Sequence, residues 1–355
     1  MEPLSSDIQI ICDGTKDISH MFSGKRIILT GGQGFLGQYI CSTFNKLNEQ
    51  YLSQPCEVIV VDNFITSGTK ILPNYDHFTF INSSVEDTPS FNKPVDYIMF
   101  LAGIASPYYY VKYPLETMNI VSIGLANYLK IAKSYNAKLL FASSSEIYGN
   151  PDANNIPTKE TYHGNVSTLS DRSCYDESKR LGETLCYVYA KQDVQATIIR
   201  PFNFYGPLMM PTDYRVLPNF ANNILQGNIV QLYGNGQQTR TFCYITDGIV
   251  GMFRTLLLGK SGQAYNIGNP IPEISMSELL TLCEEVCQEN LIVHPPVVKK
   301  LIETPINYPV NGDPIRRCPD ISKATNELQY QPSVSLRNGL TRFLNWTNIH
   351  YKESK

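Results

Sequence analysis

The chain has 355 residues, 43% hydrophobic and 17% charged, with 29 Lys and Arg against 32 Asp and Glu for a formal net charge of -3. That apolar share excludes a mostly disordered chain. The slight acidity gives no footing for nucleic acid or an anionic membrane, whose binders carry a basic surplus.

Residues 1–24 read as an N-terminal extension, either a helix lying on the domain or an arm. They hold acids and polar residues rather than a basic start and an apolar run, so no secretory signal is expected. No apolar stretch approaches ~20 residues, so no membrane span is expected either. The 9 cysteines are scattered without a Cys-x-x-Cys pair. Cys283 and Cys287 would share a helical face, but no His or second pair stands near to complete a metal site, so none is expected. Reduced, buried thiols of a cytoplasmic protein are the plainer reading.

From Lys25 onward, β-rich runs alternate with helical patterns. Strands are predicted at 26–30, 57–62, 78–82, 97–102, 138–143 and 196–200, with helices at 35–48, 115–135 and 175–192. This alternation implies an α/β fold, a parallel sheet covered on both faces. After Arg200, Pro and Gly become frequent and the elements shorten. Residues 201–244 and 270–355 therefore read as a smaller, discontinuous lobe, with 25–200 and 245–269 forming the main domain. The Pro-rich stretch His294 to Pro314 reads as a long loop over the cleft.

Between the first strand and first helix stands Thr30-Gly31-Gly32-Gln33-Gly34-Phe35-Leu36-Gly37. A dinucleotide fold needs glycines there, for the tight turn, for approach of the pyrophosphate and for close helix–strand packing. The helix N-terminus then offers its N–H groups to the phosphates. Asp62 ends the next strand, where a carboxylate can accept both hydroxyls of an adenosine ribose and so favours NAD. Asn63 beside it is a further polar candidate.

Tyr175 and Lys179 lie four residues apart on one predicted helix. A neighbouring cation favours the phenolate, so this pair can take a hydroxyl proton while the carbon beneath gives hydride to nicotinamide. Ser143-Ser144-Ser145-Glu146 closes the fifth predicted strand, at the edge where doubly wound sheets bind ligands.

With these motifs in place, the chain resembles the nucleotide-sugar epimerase/dehydratase/decarboxylase group of the extended short-chain dehydrogenase/reductases. The resemblance runs from about Lys25 to Trp346 and also rests on Leu101-Ala102-Gly103, Arg200 to Pro207, Gln238 to Tyr244 and Tyr265 to Gly268. It implies a Rossmann doubly wound domain holding NAD, and a lobe holding a nucleotide sugar. It implies that Ser145, Tyr175 and Lys179 form the catalytic triad and that Leu101 and Ala102 border the cofactor. Asn203 would contact the substrate diphosphate, and Arg240 and Arg317 the diphosphate or sugar. Ser84 stands where the family usually carries the Asp that meets adenine.

Within the group, Ser145-Glu146, the stretch Cys174 to Arg180, Arg215-Val216 and Arg317 are closest to UDP-glucuronate decarboxylases. That resemblance implies oxidation at C4, loss of the C6 carboxylate as CO2, and reduction of the ketone, with Glu146 at the sugar acid and a tyrosine near Tyr108 positioning it. A 4,6-dehydratase, a 4-epimerase and a non-catalytic Rossmann binding protein stay open as alternatives. Pairing of two copies through the helices at 115–135 and 175–192 is expected from the same likeness.

Overall fold

In the computed structural model, which describes residues 3–68, 73–292, 296–302 and 314–351, the apolar runs assemble into one parallel sheet of seven strands. Strands β1 (Arg26–Thr30), β2 (Glu57–Asp62) and β3 (Phe78–Asn82) begin and end where the sequence places them. Strands β4 (Tyr97–Phe100) and β5 (Lys138–Ala142) stop short of the predicted ends, while β6 (Ala196–Pro201) runs one residue further. The strand Ala264–Ile267 returns to pair in parallel with β6 at the sheet edge. The spatial order is Ala264–Ile267, β6, β5, β4, β1, β2, β3. Direction of build reverses between β1 and β4, which opens a crevice at the carboxyl ends of the strands.

Neighbouring residues on one strand feed opposite cores, so these strands show no polar alternation. Ile27, Leu29, Val58 and Val60 pack under α1 (Ser5–Gly14), α2 (Phe35–Gln50) and α8 (Ile245–Leu258). Ile28, Ile59 and Val61 pack under the helices of the other face. There, the run predicted as one helix is divided into α4 (Pro114–Asn119), a π-helical turn at Ile120–Leu125 and α5 (Ala126–Tyr135), with α3 (Pro107–Lys112) before them and α6 (Ser173–Ala190) alongside. A Cβ on Gly124, inside the π turn, would come 2.6 Å from Val85 Cγ2, so the turn sits tight against the sheet edge.

The N-terminal extension is anchored. Asp7 on α1 is fully buried and accepts bonds from Tyr39 of α2 (3.0 Å), Tyr244 (2.8 Å) and Arg342 (2.8 Å). Burial raises the Asp7 pKa, and those three donors work against it while satisfying the carboxylate.

Beyond β6 the chain builds small pieces. Thr239–Arg240 lies between Ile274–Ser275 and Arg316–Arg317, and Phe204–Tyr205 pairs with Cys243–Tyr244. They are packed by α7 (Val216–Gln226), α9 (Met276–Glu289) and α11 (Leu336–His350), while α10 (Ser322–Leu328) lies against α8 and the strand Ala264–Ile267. Part of the predicted 294–314 loop is instead a strand: Lys299–Ile302 pairs in parallel with Val230–Tyr233. Residues 294–295 and 303–313 of that stretch lie outside the described residues.

Candidate active site

One cavity of about 1150 Å³ runs along the carboxyl edge of the sheet, from Gly31 at one end to Arg317 at the other. Its first half is built from backbone. Gly31 takes a positive φ of 71°, and a Cβ there would meet the Ala102 nitrogen at 2.9 Å. A Cβ on Gly37 would stand 2.4 Å from both the Gly31 oxygen and the Gly32 Cα, so only glycine lets α2 begin this close to the turn. No side chain caps α2, whose first residues Phe35, Leu36 and Gly37 line the cavity. Their N–H groups have no partner within the helix and form an anion seat.

Asp62 closes β2 and accepts the N–H groups of Gln33 and Phe64, each at 2.8 Å. Asn63 lines the cavity next to it and accepts the Ile65 N–H with its side chain (3.1 Å). The N–H groups of Leu101 and Ala102 both donate to Thr30 Oγ1 at 3.1 Å, which fixes the floor between the two strands. Ser84 donates to Glu86, while Ser83 and Val85 on either side of it line the wall. A turn no side chain can enter, an uncapped helix start and a carboxylate at the second strand's end fit a dinucleotide.

The second half is built from side chains. Tyr175 and Lys179 lie one turn apart on α6, only 5% and 4% exposed. Lys179 Nζ donates to the Ala142 carbonyl (2.7 Å) and stands 5.6 Å from the Tyr175 ring centre. Burial drives the Lys179 pKa down to about 8 and pushes the Tyr175 phenol up to about 12. In this structure burial sets the direction at Tyr175, opposite to the lowering expected from a neighbouring cation.

The hydroxyl bonded to Tyr175 belongs to Ser144, not to the expected Ser145. Ser144 is the extended residue between β5 and the helical turn Ser145–Tyr148, which it caps, whereas Ser145 already belongs to that turn. Ser144 also accepts the Glu146 N–H (3.2 Å), while Ser145 is buried in the same wall.

Glu146 is gripped by two guanidiniums, Arg172 and Arg317, the latter through Nη1 at 2.5 Å and Nη2 at 2.6 Å. Burial works against its charge, but Arg172, Arg317 and Arg240 hold the carboxyl well below its usual range. Arg317 and Arg240 are register partners on neighbouring strands. Like charges so placed repel, and Glu146 is the anion that offsets them. Arg215, ahead of α7, is chelated by Asp213 at 2.5 and 2.6 Å. Asn203, at a positive φ of 43°, donates to the Thr241 carbonyl (2.7 Å). Asn203, Arg215, Arg240 and Arg317 all line the cavity.

Tyr108 does not. It is 48% exposed and packs on the lining residue Tyr214 without itself lining the cavity, their ring centres 4.5 Å apart. Its neighbours Tyr109 and Tyr110 do line it, and Tyr110 stacks on Tyr175 at 5.2 Å and 14°. On a helix three consecutive tyrosines point 100° apart, and only packing decides which of them enter. Arg172 is the other residue the sequence did not single out. Its spacing of four from Asp176 on one helical face was the available signal.

A family profile described as the NAD dependent epimerase/dehydratase family matches residues 27–268. UDP-glucuronic acid decarboxylase 1 of Xenopus tropicalis is 37% identical over 336 residues, covering 92% of this chain and 72% of that one. UDP-glucuronic acid decarboxylase 6 of Arabidopsis thaliana is 39% identical over 322 residues, covering 90% and 87%. Among solved structures, a point mutant of UDP-glucuronic acid 4-epimerase from Bacillus cereus, in complex with UDP-4-deoxy-4-fluoro-glucuronic acid and NAD, superposes with a TM-score of 0.72. It is 25% identical and the match covers 90% of this chain and 98% of that one.

Proposed function

The chain belongs to the NAD dependent epimerase/dehydratase family, and on that premise we propose that it decarboxylates UDP-glucuronate through a 4-keto sugar. The cofactor is NAD, and the residues that would hold it, Gly31, Gly34, Phe35, Leu36, Gly37, Asp62, Asn63, Leu101 and Ala102, line one end of the cleft. Residues 25–200 and 245–269 carry that end, and 201–244 with 270–355 carry the nucleotide-sugar end.

NAD, when bound, supplies an acceptor for the C4 hydride and a positive ring charge that favours the phenolate. Tyr175 takes the O4 proton, Ser144 holds the same oxygen, and Lys179 fixes the end of β5 beneath them. The sugar's 4-ketone is then β to its C6 carboxylate. The C5–C6 bond breaks, CO2 leaves, and the electron pair passes to O4, where Ser144 and Tyr175 stabilise it. C5 takes up a proton, Tyr175 gives its proton back to O4, and the bound cofactor would supply the hydride that C4 lost, so that UDP-xylose forms with no net redox change. Asn203, Arg215 and Arg240 are the groups for the diphosphate.

The observation that carries this reading is Glu146 fixed by two arginines within the wall that holds Ser144 and Tyr175. Hydride transfer alone needs no such charged cluster, whereas chemistry at a sugar acid does. The test is incubation of the purified protein with UDP-glucuronate and mass measurement of the product. Loss of one CO2 supports the assignment. An unchanged mass there, with loss of water from a neutral hexose nucleotide, would assign a 4,6-dehydratase instead.

We further propose a homodimer. Leu115, Met118 and Ile123 on the α4–α5 run and Leu181, Tyr187 and Val188 on α6 are exposed apolar side chains on adjoining helices. The cytoplasm is the proposed compartment, since none of the nine cysteines is in a disulfide. No helix among the described residues is long and apolar enough to cross a membrane.

A further inference from the structure

Tyr175 and Lys179 begin a longer row. Glu183 follows on α6 at the same spacing of four, so the three share one face of the helix. Glu183 does not line the cleft, yet its side chain is only 14% exposed. Both of its oxygens are engaged. Oε1 accepts the Ser143 hydroxyl (2.6 Å) and Arg200 Nε (2.9 Å), and Oε2 accepts Arg200 Nη2 (2.6 Å). Arg200, on β6, also donates through Nη1 to the Tyr148 hydroxyl (2.7 Å) and to the Glu160 carbonyl (3.0 Å). Tyr148 ends the helical turn that carries Glu146.

Ser143 stands between the two groups that hold the proton relay. The carbonyl of Ala142 before it accepts Lys179, and the hydroxyl of Ser144 after it bonds Tyr175. The register of β5 with β6 ends at Ala142, and the Ser143 N–H still reaches the Ile199 carbonyl (2.9 Å). From there the backbone leaves the ladder, and the bond from Ser143 to a charged carboxylate takes over its task. Such a charge-assisted bond is about twice as strong as a neutral one. The same carboxylate favours the charge of Lys179, one turn away, against the burial that lowers its pKa. A relay of this kind is sensitive to placement, since a shift of about 1 Å from a change far from the chemistry can cost on the order of 10²-fold.

We propose that Glu183 is a positioning residue for the oxidation at C4: through the Ser143 hydroxyl it holds Ala142 and Ser144 in place for Lys179 and Tyr175, while Arg200 fixes the carboxylate from β6. This rests on the 4-keto reaction proposed above. An ion pair that only steadied the fold would not act on the hydride step through Ser143.

The test is single-turnover appearance of NADH in the NAD-loaded protein given UDP-glucuronate, with affinity for that nucleotide and the urea unfolding midpoint measured on the same preparations. Ser143→Ala cuts the tie but leaves Glu183 and Arg200 paired, so its midpoint should stay near that of the wild type. Its NADH step should slow roughly 10- to 100-fold while affinity for UDP-glucuronate stays within about 2-fold. Ser143→Thr, which keeps the hydroxyl, should recover most of the rate. Glu183→Gln should slow the same step, and the double variant should be no slower than the slower single one, because both changes break one connection. If Glu183→Gln does not fold, the contrast between Ser143→Ala and Ser143→Thr decides alone. A rate within about 2-fold of wild type in Ser143→Ala, a loss of affinity without a slower step, or additive losses in the double variant would overturn the proposal. If the wild type forms NADH but releases no CO2, and Ser143→Ala slows that NADH, the decarboxylase reading fails while the role of Glu183 stands.

Discussion

The two ends of the cleft are built on different principles. The cofactor end is made of backbone from one continuous stretch, the turn and helix start between Gly31 and Gly37, plus the ends of the strands beside it. The end proposed for the sugar is made of side chains from segments far apart: Glu146, Arg172, Arg215, Arg240 and Arg317. A site made of backbone writes itself into sequence as glycines at fixed spacing, because nothing else fits. A site made of long charged side chains is specified by where distant strands meet, and each member looks locally like any surface charge.

The largest effect that would break the comparison is chemical. Tyr175→Phe should lower turnover on the order of 10²- to 10⁴-fold, the usual contribution of a positioned acid or base. NAD should still bind, because the backbone end is untouched. Measuring turnover and NAD affinity on the same preparation checks both. A variant that loses NAD as well would mean that the two ends are not separable.

Next in size is Arg317→Gln. It strips Glu146 of its bidentate partner and leaves a buried carboxylate short of charge. Breaking a buried pair this way costs about 3–5 kcal/mol. Urea unfolding should show the loss, and simultaneous Glu146→Gln should recover much of it, since the orphaned charge then disappears.

Lys179 offers a pH handle. Its folded pKa is lowered by burial to about 8 from 10.5, so above pH 8 the unfolded chain binds more protons. Stability should therefore rise with pH across that window, by up to on the order of 1 kcal/mol per pH unit, and level off once the unfolded lysine also titrates. Denaturation curves of the wild type and Lys179→Met, taken at about pH 7.5 and 9.5, isolate the slope as their difference. Equal slopes in the two proteins would show that Lys179 does not feel its burial.

A smaller effect sharpens the boundary between the halves. Ser144→Ala removes the hydroxyl that bonds Tyr175. It should slow the first oxidation roughly 10-fold, the worth of one hydrogen bond, with Ser145→Ala slowing it less. Single-turnover appearance of NADH reads that step directly.

Legibility followed the same division. Strands β1 to β3 were legible to the residue, because β1 and β2 are buried apolar runs rich in β-branched side chains, and the edge strand β3, though half-exposed, is still built of Phe, Thr and Ile. The two-residue strands Thr239–Arg240 and Arg316–Arg317 carry no pattern of their own and exist only through their pairing. The π turn at Ile120–Leu125 was read through as plain helix, since its apolar residues suit either ladder. At the site, Ser144 was missed by one position and Tyr110 by two, both in runs of identical residues where only the local backbone decides direction. Arg172 was hidden in a polar loop, and only burial against Glu146 distinguishes it from a solvated charge.

Arg316 and Arg317 put that last point in its smallest form. They are adjacent on one short strand, so their side chains leave on opposite faces. Arg317 turns into the cleft, its side chain 7% exposed. Arg316 turns out, its side chain 43% exposed, and pairs with Glu273 through Nε and Nη2, each at 2.8 Å. An exposed pair of this kind contributes about 0–1 kcal/mol and weakens with salt. Arg316→Ala should therefore shift the unfolding midpoint slightly, leave turnover within about 2-fold, and lose even the small shift at high salt. Side by side with Arg317→Gln, it measures what burial adds to the same guanidinium one residue away. A comparable loss of turnover in both would mean that the strand, not the direction of the side chain, carries the effect.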